Sequence, residues 1–231
     1  MIVSHKHRFI YIKTLKTAGT SLEIALSKFC GADDIITSID RADEVMRVGL
    51  GYRGAQNFRP LLWGLPKDLR LSVRSGTDLV KFFNHMPATM VRDRVPSEVW
   101  NSYFKFTSAR DPYDLAVSLF YWKKRSDPTL VEIPDFLRRY GTQLYRNTEI
   151  VSEDGSFLLD DFVRFESFGA DLERIGQKIG LPENLWESFD GIRAKGNVRK
   201  ERSSAGGLLG PKERDVIRYL SAKEFEFFSY D

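Results

Sequence analysis

The pattern of hydrophobic and polar residues along the chain predicts short strands that alternate with helices. Residues 8–13 (RFIYIK) form an apolar and aromatic run bounded by charge, which is typical of a short buried strand. Residues 20–29 follow a short turn and carry apolar side chains at helical spacing. Further strands are predicted at 79–84, 103–109 and 161–166, and further helices at 87–94, 96–102, 113–124, 134–140, 168–180 and 211–221. This alternation favours an α/β fold with a parallel sheet.

Two segments lack such periodicity. Residues 49–77 are rich in Gly, Pro and Arg, and we expect loops with short helical pieces there. Residues 194–210 are basic and then rich in Gly and Ser, which predicts a surface loop. There is no internal repeat or low-complexity tract, so we expect a single domain over residues 1–231.

The composition is that of an ordinary globular protein. Hydrophobic residues make up 42% and charged residues 29%. The net charge is only +3, which gives no indication of nucleic-acid binding. Cys30 is the single cysteine, so an internal disulfide is excluded, and we interpret it as a small apolar residue on helix 20–29. The chain has no signal-peptide pattern and no apolar run of membrane-spanning length, so we expect a cytoplasmic protein without a membrane span.

The first candidate site lies between the first predicted strand and helix. It consists of Lys16, Thr17, Ala18, Gly19, Thr20 and Ser21. The start of a helix leaves backbone N–H groups unpaired and favours an anion, glycine allows close approach, and the hydroxyls and the lysine add donors and charge. These properties indicate a phosphate cradle, and the alternative is an ordinary capped turn. The segment does not match G-x-x-x-x-G-K-S/T, which argues against a standard ATP or GTP loop.

The second candidate site lies in residues 107–118 (TSARDPYDLAVS). Arg110 falls at the carboxyl end of a predicted strand, where open parallel sheets bind ligands, and Ser118 follows eight residues later on the next helix. A guanidinium fork with a hydroxyl suits a second phosphate group. The alternative is a salt bridge from Arg110 to Asp111 or Asp114, with Ser118 bonding within its own helical turn.

Taken together, the two motifs resemble those of sulfotransferases that use 3′-phosphoadenosine 5′-phosphosulfate (PAPS), in particular carbohydrate enzymes of the heparan 2-O-sulfotransferase type. The likeness is strong over residues 7–124 and looser over 160–231. It implies a P-loop-NTPase-like three-layer sandwich with a central, mostly parallel sheet flanked by helices. It also implies that residues 16–21 bind the 5′-phosphosulfate, and that Arg110 and Ser118 bind the 3′-phosphate. The family usually has proline before the loop lysine, where this chain has Leu15.

His85 is the candidate general base. It follows the strand predicted at 79–84, and its ordinary pKa near 6.5 suits removal of a hydroxyl proton near neutral pH. The stretch around it also resembles the histidine segment of uronyl sulfotransferases. The alternative is a structural histidine that fixes the turn before Pro87. Asp93, Glu98 and Glu166 are secondary candidates for the base, and we expect His5 and His7 to be solvated.

The resemblance thus implies an enzyme that transfers a sulfuryl group from PAPS to an acceptor hydroxyl, with Lys16 and His85 as catalytic residues. It favours a carbohydrate acceptor. No metal is expected, because no His, Cys and carboxylate cluster has ligand spacing. Two alternatives are a nucleotide-dependent kinase or other phosphoryl transferase, which would need Mg²⁺, and an inactive sulfotransferase-like binding module.

Overall fold

The computed structural model of the protein describes residues 1–59, 81–192 and 207–231. Its strands are β1 (Ile2–Ser4), β2 (Phe9–Ile12), β3 (Ile35–Ile36), β4 (Phe104–Ala109), β5 (Ser152–Glu153), β6 (Ser156–Phe157) and β7 (Asp161–Arg164). Its helices are α1 (Gly19–Ser27), α2 (Arg41–Gly49), α3 (Ala88–Arg94), α4 (Ser97–Ser102), α5 (Pro112–Lys124), α6 (Ile133–Tyr140), α7 (Arg146–Val151), α8 (Phe168–Lys178), α9 (Leu185–Asp190), α10 (Pro211–Leu220) and α11 (Ala222–Phe228).

Five of the strands form one mixed sheet in the order β3-β1-β2-β4-β7. Strands β2, β4 and β7 are parallel, whereas β1 is antiparallel to both β2 and β3. The sheet is therefore mixed. The expectation of a mostly parallel sheet is wrong for the two pairings that β1 makes, with β2 and with β3. Only residues 5–8 separate β1 from β2, and so short a connection can join antiparallel neighbours but not parallel ones.

The three parallel strands each lead directly into a helix. Strand β2 leads to α1, β4 leads to α5, and β7 leads to α8 through a short 3₁₀ turn at Phe165–Ser167. In the register, Ile12 lies opposite Thr107, and Ala109 lies opposite Arg164. The three connections consequently emerge side by side at one edge of the sheet, where open α/β folds bind ligands.

Strand β2 shows how helices come to cover both faces of the sheet. Its side chains alternate between the two faces. Phe9 and Tyr11 belong to a buried cluster with α1, α8 and α9, and Ile10 and Ile12 belong to a second cluster with α3, α7 and α11. The chain is thus an α/β protein with a sheet flanked by helices.

The turn that carries Arg110 is set by the first residues of α5. The Asp111 side chain accepts a hydrogen bond of 3.0 Å from the Asp114 N–H and caps the helix, and Pro112 occupies its first turn. Strand β4 therefore ends and α5 begins within two residues, which fixes Arg110 between them.

Several expectations need correction. Residues 81–84 form bends and a turn instead of the strand predicted at 79–84, and residues 79–80 lie outside the described residues. Cys30 follows α1 and does not lie on it, although it is buried. His5 and His7 are half-buried, and His5 Nδ1 lies 3.0 Å from the Tyr103 hydroxyl. Most of the loop predicted at 194–210 falls outside the described residues.

Helix α2 was not predicted, because it buries charged side chains and exposes apolar ones, the reverse of the usual pattern. Asp43 and Arg47 are buried, whereas Val45 and Val48 are largely exposed. Arg47 is accommodated by contacts with Glu44 and Glu23. Across the described ranges, no helix combines the length and the apolar character needed to cross a membrane.

Candidate functional site

The loop between β2 and α1 (residues 13–18, here called the β2–α1 loop) has an unusual backbone. Lys16 and Ala18 both adopt left-handed conformations, with φ of 61° and 57°. Such a conformation costs a non-glycine residue about 1–2 kcal/mol. It persists only where the surrounding structure fixes it, and such strain is concentrated at functional sites.

A buried network of hydroxyls holds both ends of this loop. Thr17 Oγ1 lies 2.9 Å from Thr14 Oγ1 and 2.7 Å from Ser108 Oγ on β4. The Tyr11 hydroxyl lies 3.0 Å from the same Ser108 Oγ, and Thr14 Oγ1 also donates to the Ser108 carbonyl. Thr17, which was predicted as a phosphate donor, is thus nearly fully buried and serves to bind the loop to β4.

Asn147 holds the middle of the loop. Its side-chain Oδ1 accepts a hydrogen bond of 2.7 Å from the Leu15 N–H, and its Nδ2 donates one of 3.1 Å to the Leu15 carbonyl. The backbone can only donate at N–H and accept at C=O, so this pairing fixes the orientation of the Asn147 amide. Asn147 lies on α7, 132 residues away in sequence, and is buried.

Helix α1 begins at this loop without a capping side chain. Ala18 occupies the N-cap position, and no side chain there accepts a hydrogen bond from the first turn. The capped turn considered as the alternative is therefore not formed, and the helix dipole favours an anion at this end. A Cβ atom on Gly19 would lie 2.9 Å from both the Tyr11 hydroxyl and Lys13 Cγ, so the close packing of the helix start requires glycine.

A buried ion pair anchors α1 to Lys13, the first residue of the loop. Lys13 Nζ lies 2.9 Å from Glu23 Oε2, and the Met1 amine lies 3.1 Å from Glu23 Oε1, all buried. Burial by itself would raise the pKa of Glu23, but the Met1 amine and Lys13 outweigh it and lower the pKa to about 2. The charge of Lys13 is thus compensated internally, and Lys16 is the loop lysine that lies nearer the surface.

Arg110 brings the two predicted motifs into contact. Its Nη1 donates to the Lys16 carbonyl at 3.0 Å. Its Nε lies 2.7 Å and its Nη2 lies 2.5 Å from Asp114 Oδ2, so the salt bridge considered as the alternative is present. A guanidinium has five N–H donors, and these contacts engage three of them. The other two have no hydrogen-bond acceptor among the residues that the structure describes.

Ser118 lies on the helical face that connects the two motifs. Asp114, Ser118 and Trp122 are spaced four residues apart on α5 and therefore share one face. Arg110 contacts Asp114, and Lys16 Nζ lies 5.9 Å from the centre of the Trp122 ring. Ser118 consequently lies on this face one turn after the residue that Arg110 contacts and one turn before Trp122. Of the other predicted residues, Thr20 is half-buried and Ser21 is buried in the first turn of α1.

An aromatic pocket adjoins Arg110. The centre of the Phe165 ring lies 4.2 Å from Arg110 Cζ, and the ring forms one wall of a cavity of about 570 Å³. Phe168, Trp186 and Phe189 also line this cavity. Adjacent Glu166 accepts a hydrogen bond of 2.8 Å from the Asp111 N–H. The pocket is thus joined to the second site by direct contacts.

His85 reaches the same edge of the sheet by a route other than the predicted strand. It has a left-handed backbone, with φ of 59°, and its Nδ1 lies 3.1 Å from the Lys13 carbonyl. A carbonyl only accepts, so Nδ1 carries the proton in the neutral ring and Nε2 carries the lone pair. Burial, together with the charge of Lys13, lowers the pKa of His85 to about 4.

The secondary candidates for the base are placed less favourably. Asp93 and Glu98 are exposed on α3 and α4. Glu166 accepts hydrogen bonds from the Asp111 N–H and from the Tyr230 hydroxyl, each at 2.8 Å. No group of three or more His, Cys, Asp or Glu side chains within the described ranges is arranged to hold a metal ion.

Sequence reasoning missed the residues that support the site. These are Thr14, Ser108, Asp114, Asn147 and Phe165. Asp114 was considered only as part of an alternative to binding. Asn147 lies in a segment to which no function was assigned, and no local pattern indicates that its side chain reaches Leu15. Phe165 follows β7 directly, and its position at a strand end is the one signal that could have indicated it.

In a comparison with known proteins, no family model and no solved structure matches the chain. An uncharacterized protein from Archaeoglobus fulgidus is 27% identical over 104 residues, which cover 43% of this chain and 87% of that protein.

Proposed function

We propose that the protein is a sulfotransferase that transfers a sulfuryl group from PAPS to a hydroxyl group, and that its fold is related to that of the P-loop NTPases. The observation that carries the proposal is the hydrogen bond of 3.0 Å from Arg110 to the Lys16 carbonyl. It joins two groups suited to anions at the edge where β2 and β4 end. One nucleotide with phosphates on both its 5′ and 3′ positions has the matching chemistry.

Each part of the donor has a suitable neighbour in this arrangement. The uncapped start of α1 and Lys16 would hold the 5′-phosphosulfate, and the two remaining N–H groups of Arg110 together with Ser118 would hold the 3′-phosphate. The aromatic pocket beside Arg110 would take the adenine. Stacking of a base on aromatic rings contributes about 1–3 kcal/mol, and a charge-assisted hydrogen bond about 1.5–3 kcal/mol.

The reaction in this proposal is an in-line displacement at sulfur. The acceptor oxygen forms a bond to sulfur while the bond from sulfur to the bridging oxygen breaks, and 3′,5′-ADP leaves. His85 Nε2 takes the proton of the acceptor hydroxyl. Negative charge develops on the bridging oxygen, where Lys16 and the N–H groups at the start of α1 would stabilise it.

The acceptor side would lie beyond Lys16, at the end of the α5 face. Trp122 is 44% exposed there and offers a flat surface for a sugar ring. Lys123 Nζ lies 5.0 Å from the centre of the Trp122 ring and 4.9 Å from that of Tyr140. This combination of exposed indole and ammonium suits a carbohydrate, and an anionic one in particular.

The test is sulfuryl transfer from labelled PAPS to a panel of carbohydrate and small hydroxyl acceptors, with variants of Arg110. We expect Arg110→Ala to raise the KM for PAPS about 10-fold or more with a smaller change in kcat, because the 3′-phosphate is bound in both ground and transition states. Arg110→Lys is the matched control, since it keeps the positive charge but loses the planar guanidinium that binds a phosphate through two N–H groups. An unchanged KM for PAPS in Arg110→Ala would contradict the proposal.

A further inference from the structure

The β2–α1 loop is held by different partners along its length, and one of its residues depends on a single side chain. Thr14 and Thr17 bind Ser108, and the Lys16 carbonyl binds Arg110. Both peptide groups of Leu15 bind Asn147, at 2.7 and 3.1 Å. Among the described residues, no other group forms a hydrogen bond to the Leu15 backbone. Within the described part of the chain, Asn147 is thus the one residue that is hydrogen bonded to the backbone of Leu15, which precedes Lys16.

This position matters because of the backbone that follows. Lys16 immediately adopts φ of 61°, and Ala18 adopts 57°. Release of the preceding peptide would allow Lys16 to relax towards the right-handed conformation that non-glycine residues prefer. That rotation would redirect both the Lys16 side chain and the N–H groups that follow it. A buried amide that pairs with both groups of one residue opposes such a rotation.

We propose that Asn147 is a positioning residue, which keeps the β2–α1 loop in its left-handed, anion-binding conformation. Asn147 is only 3% exposed, and its hydrogen bonds reach the site through the backbone of Leu15. The identity of the ligand rests on the proposed function, whereas the effect on the loop does not. Helix α7 would thereby be part of the binding site although it lies far from the two motifs in sequence.

The first test measures, in the protein without ligand, the three-bond HN–Hα couplings of Lys16 and Ala18, which report their φ angles. We expect Asn147→Leu, which has a similar volume and no hydrogen bonds, to move these couplings from the values of the left-handed conformation towards those of the right-handed one, and to speed exchange of the Leu15 amide about tenfold or more. Val151→Ala is the matched control, because it removes buried volume from the same helix and leaves both hydrogen bonds of Asn147 in place. It should leave the couplings and the exchange of the Leu15 amide unchanged. Equal couplings of Lys16 and Ala18 in Asn147→Leu and the wild type would overturn the proposal.

A second variant covers the case in which Asn147→Leu does not fold. Asn147→Asp has the same shape and keeps an oxygen that accepts from the Leu15 N–H, but it loses the donor to the Leu15 carbonyl. We therefore expect the Leu15 amide to stay protected while the couplings of Lys16 and Ala18 still move towards the right-handed values. Couplings at wild-type values would contradict a positioning role.

The affinity for 3′,5′-ADP separates this inference from the proposed function. We expect Asn147→Leu to bind 3′,5′-ADP about 10-fold more weakly, at a temperature where it is fully folded, and Val151→Ala to bind it normally. If the wild type does not bind 3′,5′-ADP, the proposed function fails and the coupling measurement still decides the role of Asn147. If the wild type binds it and Asn147→Leu binds equally well, the positioning role is wrong.

Discussion

Three residues with left-handed backbones meet where β2 ends. Lys16, Ala18 and His85 have φ of 61°, 57° and 59°, and none of them is glycine. His85 is joined to the others through the Lys13 carbonyl. Buried hydrogen bonds from β4 and α7 to the loop offset the free-energy cost of its left-handed conformations. Four other non-glycine residues within the described ranges also have positive φ, so the conformation marks this place only together with the contacts that hold it.

At the residue scale, the environment of His85 predicts an unusual pH dependence. An ordinary histidine loses its action as a base when pH falls below about 6.5. The pKa of His85 is lowered to about 4 by burial and by Lys13, so the ring stays neutral well below that pH. We expect kcat/KM for the acceptor to stay level from pH 7.5 down to about 5.5 and to fall only in more acidic solution.

The measurement is a pH–rate profile of the wild type with saturating PAPS. His85→Gln should lose most of the turnover at every pH while binding 3′,5′-ADP normally, because the side chain acts on the acceptor proton and not on the donor. A clear inflection near pH 6.5, or normal turnover in His85→Gln, would assign the base to another group.

At the scale of elements, the close packing where the β2–α1 loop meets α1 makes Gly19 critical. A Cβ atom there would lie 2.9 Å from Lys13 Cγ and from the Tyr11 hydroxyl, closer than packing allows. We expect Gly19→Ala to lower the free energy of unfolding by about 1–3 kcal/mol and to weaken anion binding. Urea denaturation and titration with 3′,5′-ADP measure the two effects.

Gly49→Ala provides the control for Gly19→Ala. Gly49 also belongs to a helix, but a Cβ atom there meets nothing within 4 Å. The free energy of unfolding of the Gly49→Ala variant should be unchanged or slightly raised, as expected for glycine replaced by alanine in a helix. Equal stability of the two variants would show that a Cβ atom at Gly19 is accommodated, contrary to our expectation.

The contact between α11 and α7 predicts a second pH effect, this time on stability. Glu224 is 1% exposed, and burial raises its pKa to about 8, although nearby Thr148 opposes this. The unfolded carboxyl ionises near pH 4.5 and the folded one does not, so this group lowers stability as pH rises from about 4.5 to about 8. The slope is at most about 1.4 kcal/mol per pH unit.

Replacement of Glu224 by Gln removes the ionisable group while keeping its shape. We expect Glu224→Gln to be more stable than the wild type at pH 7.5 and to show a flatter dependence of stability on pH between 5 and 8. Chemical denaturation at several pH values measures this. Equal slopes for both proteins would mean that Glu224 titrates normally in the folded chain.

The elements that could be predicted from sequence are those whose periodicity is set by a buried face. Strands at Phe9–Ile12 and Phe104–Ala109 and the helix at Pro112–Lys124 were predicted to within about two residues. The strand at 79–84 was predicted from an apolar run, but Phe82 is buried in a bend and forms no strand. Helix α2 was missed because it buries charge. Composition cannot reveal such cases, since tertiary partners decide which face is buried.

At the scale of the whole molecule, the topology of the fold brings residues that are distant in sequence to one edge of the sheet. Lys16 and Arg110 could be predicted as neighbours because β2 and β4 are parallel and both end at one edge of the sheet. The role of Asn147 could not, because it depends on how α7 packs against the loop from a distance of 132 residues. The aromatic pocket likewise combines residues after β7 with residues of α9. Such sites arise from packing and have no local signature.

The central claim is that one bisphosphorylated nucleotide is bound at both ends, by the β2–α1 loop and by Arg110. Calorimetric titration of the wild type and Arg110→Ala with 3′,5′-ADP and with 5′-AMP tests it most directly. We expect the wild type to prefer 3′,5′-ADP by about 10-fold or more, and Arg110→Ala to bind both nucleotides equally, because only the 3′-phosphate would contact Arg110. A wild type that does not distinguish the two nucleotides, or a preference that survives in Arg110→Ala, would contradict the account.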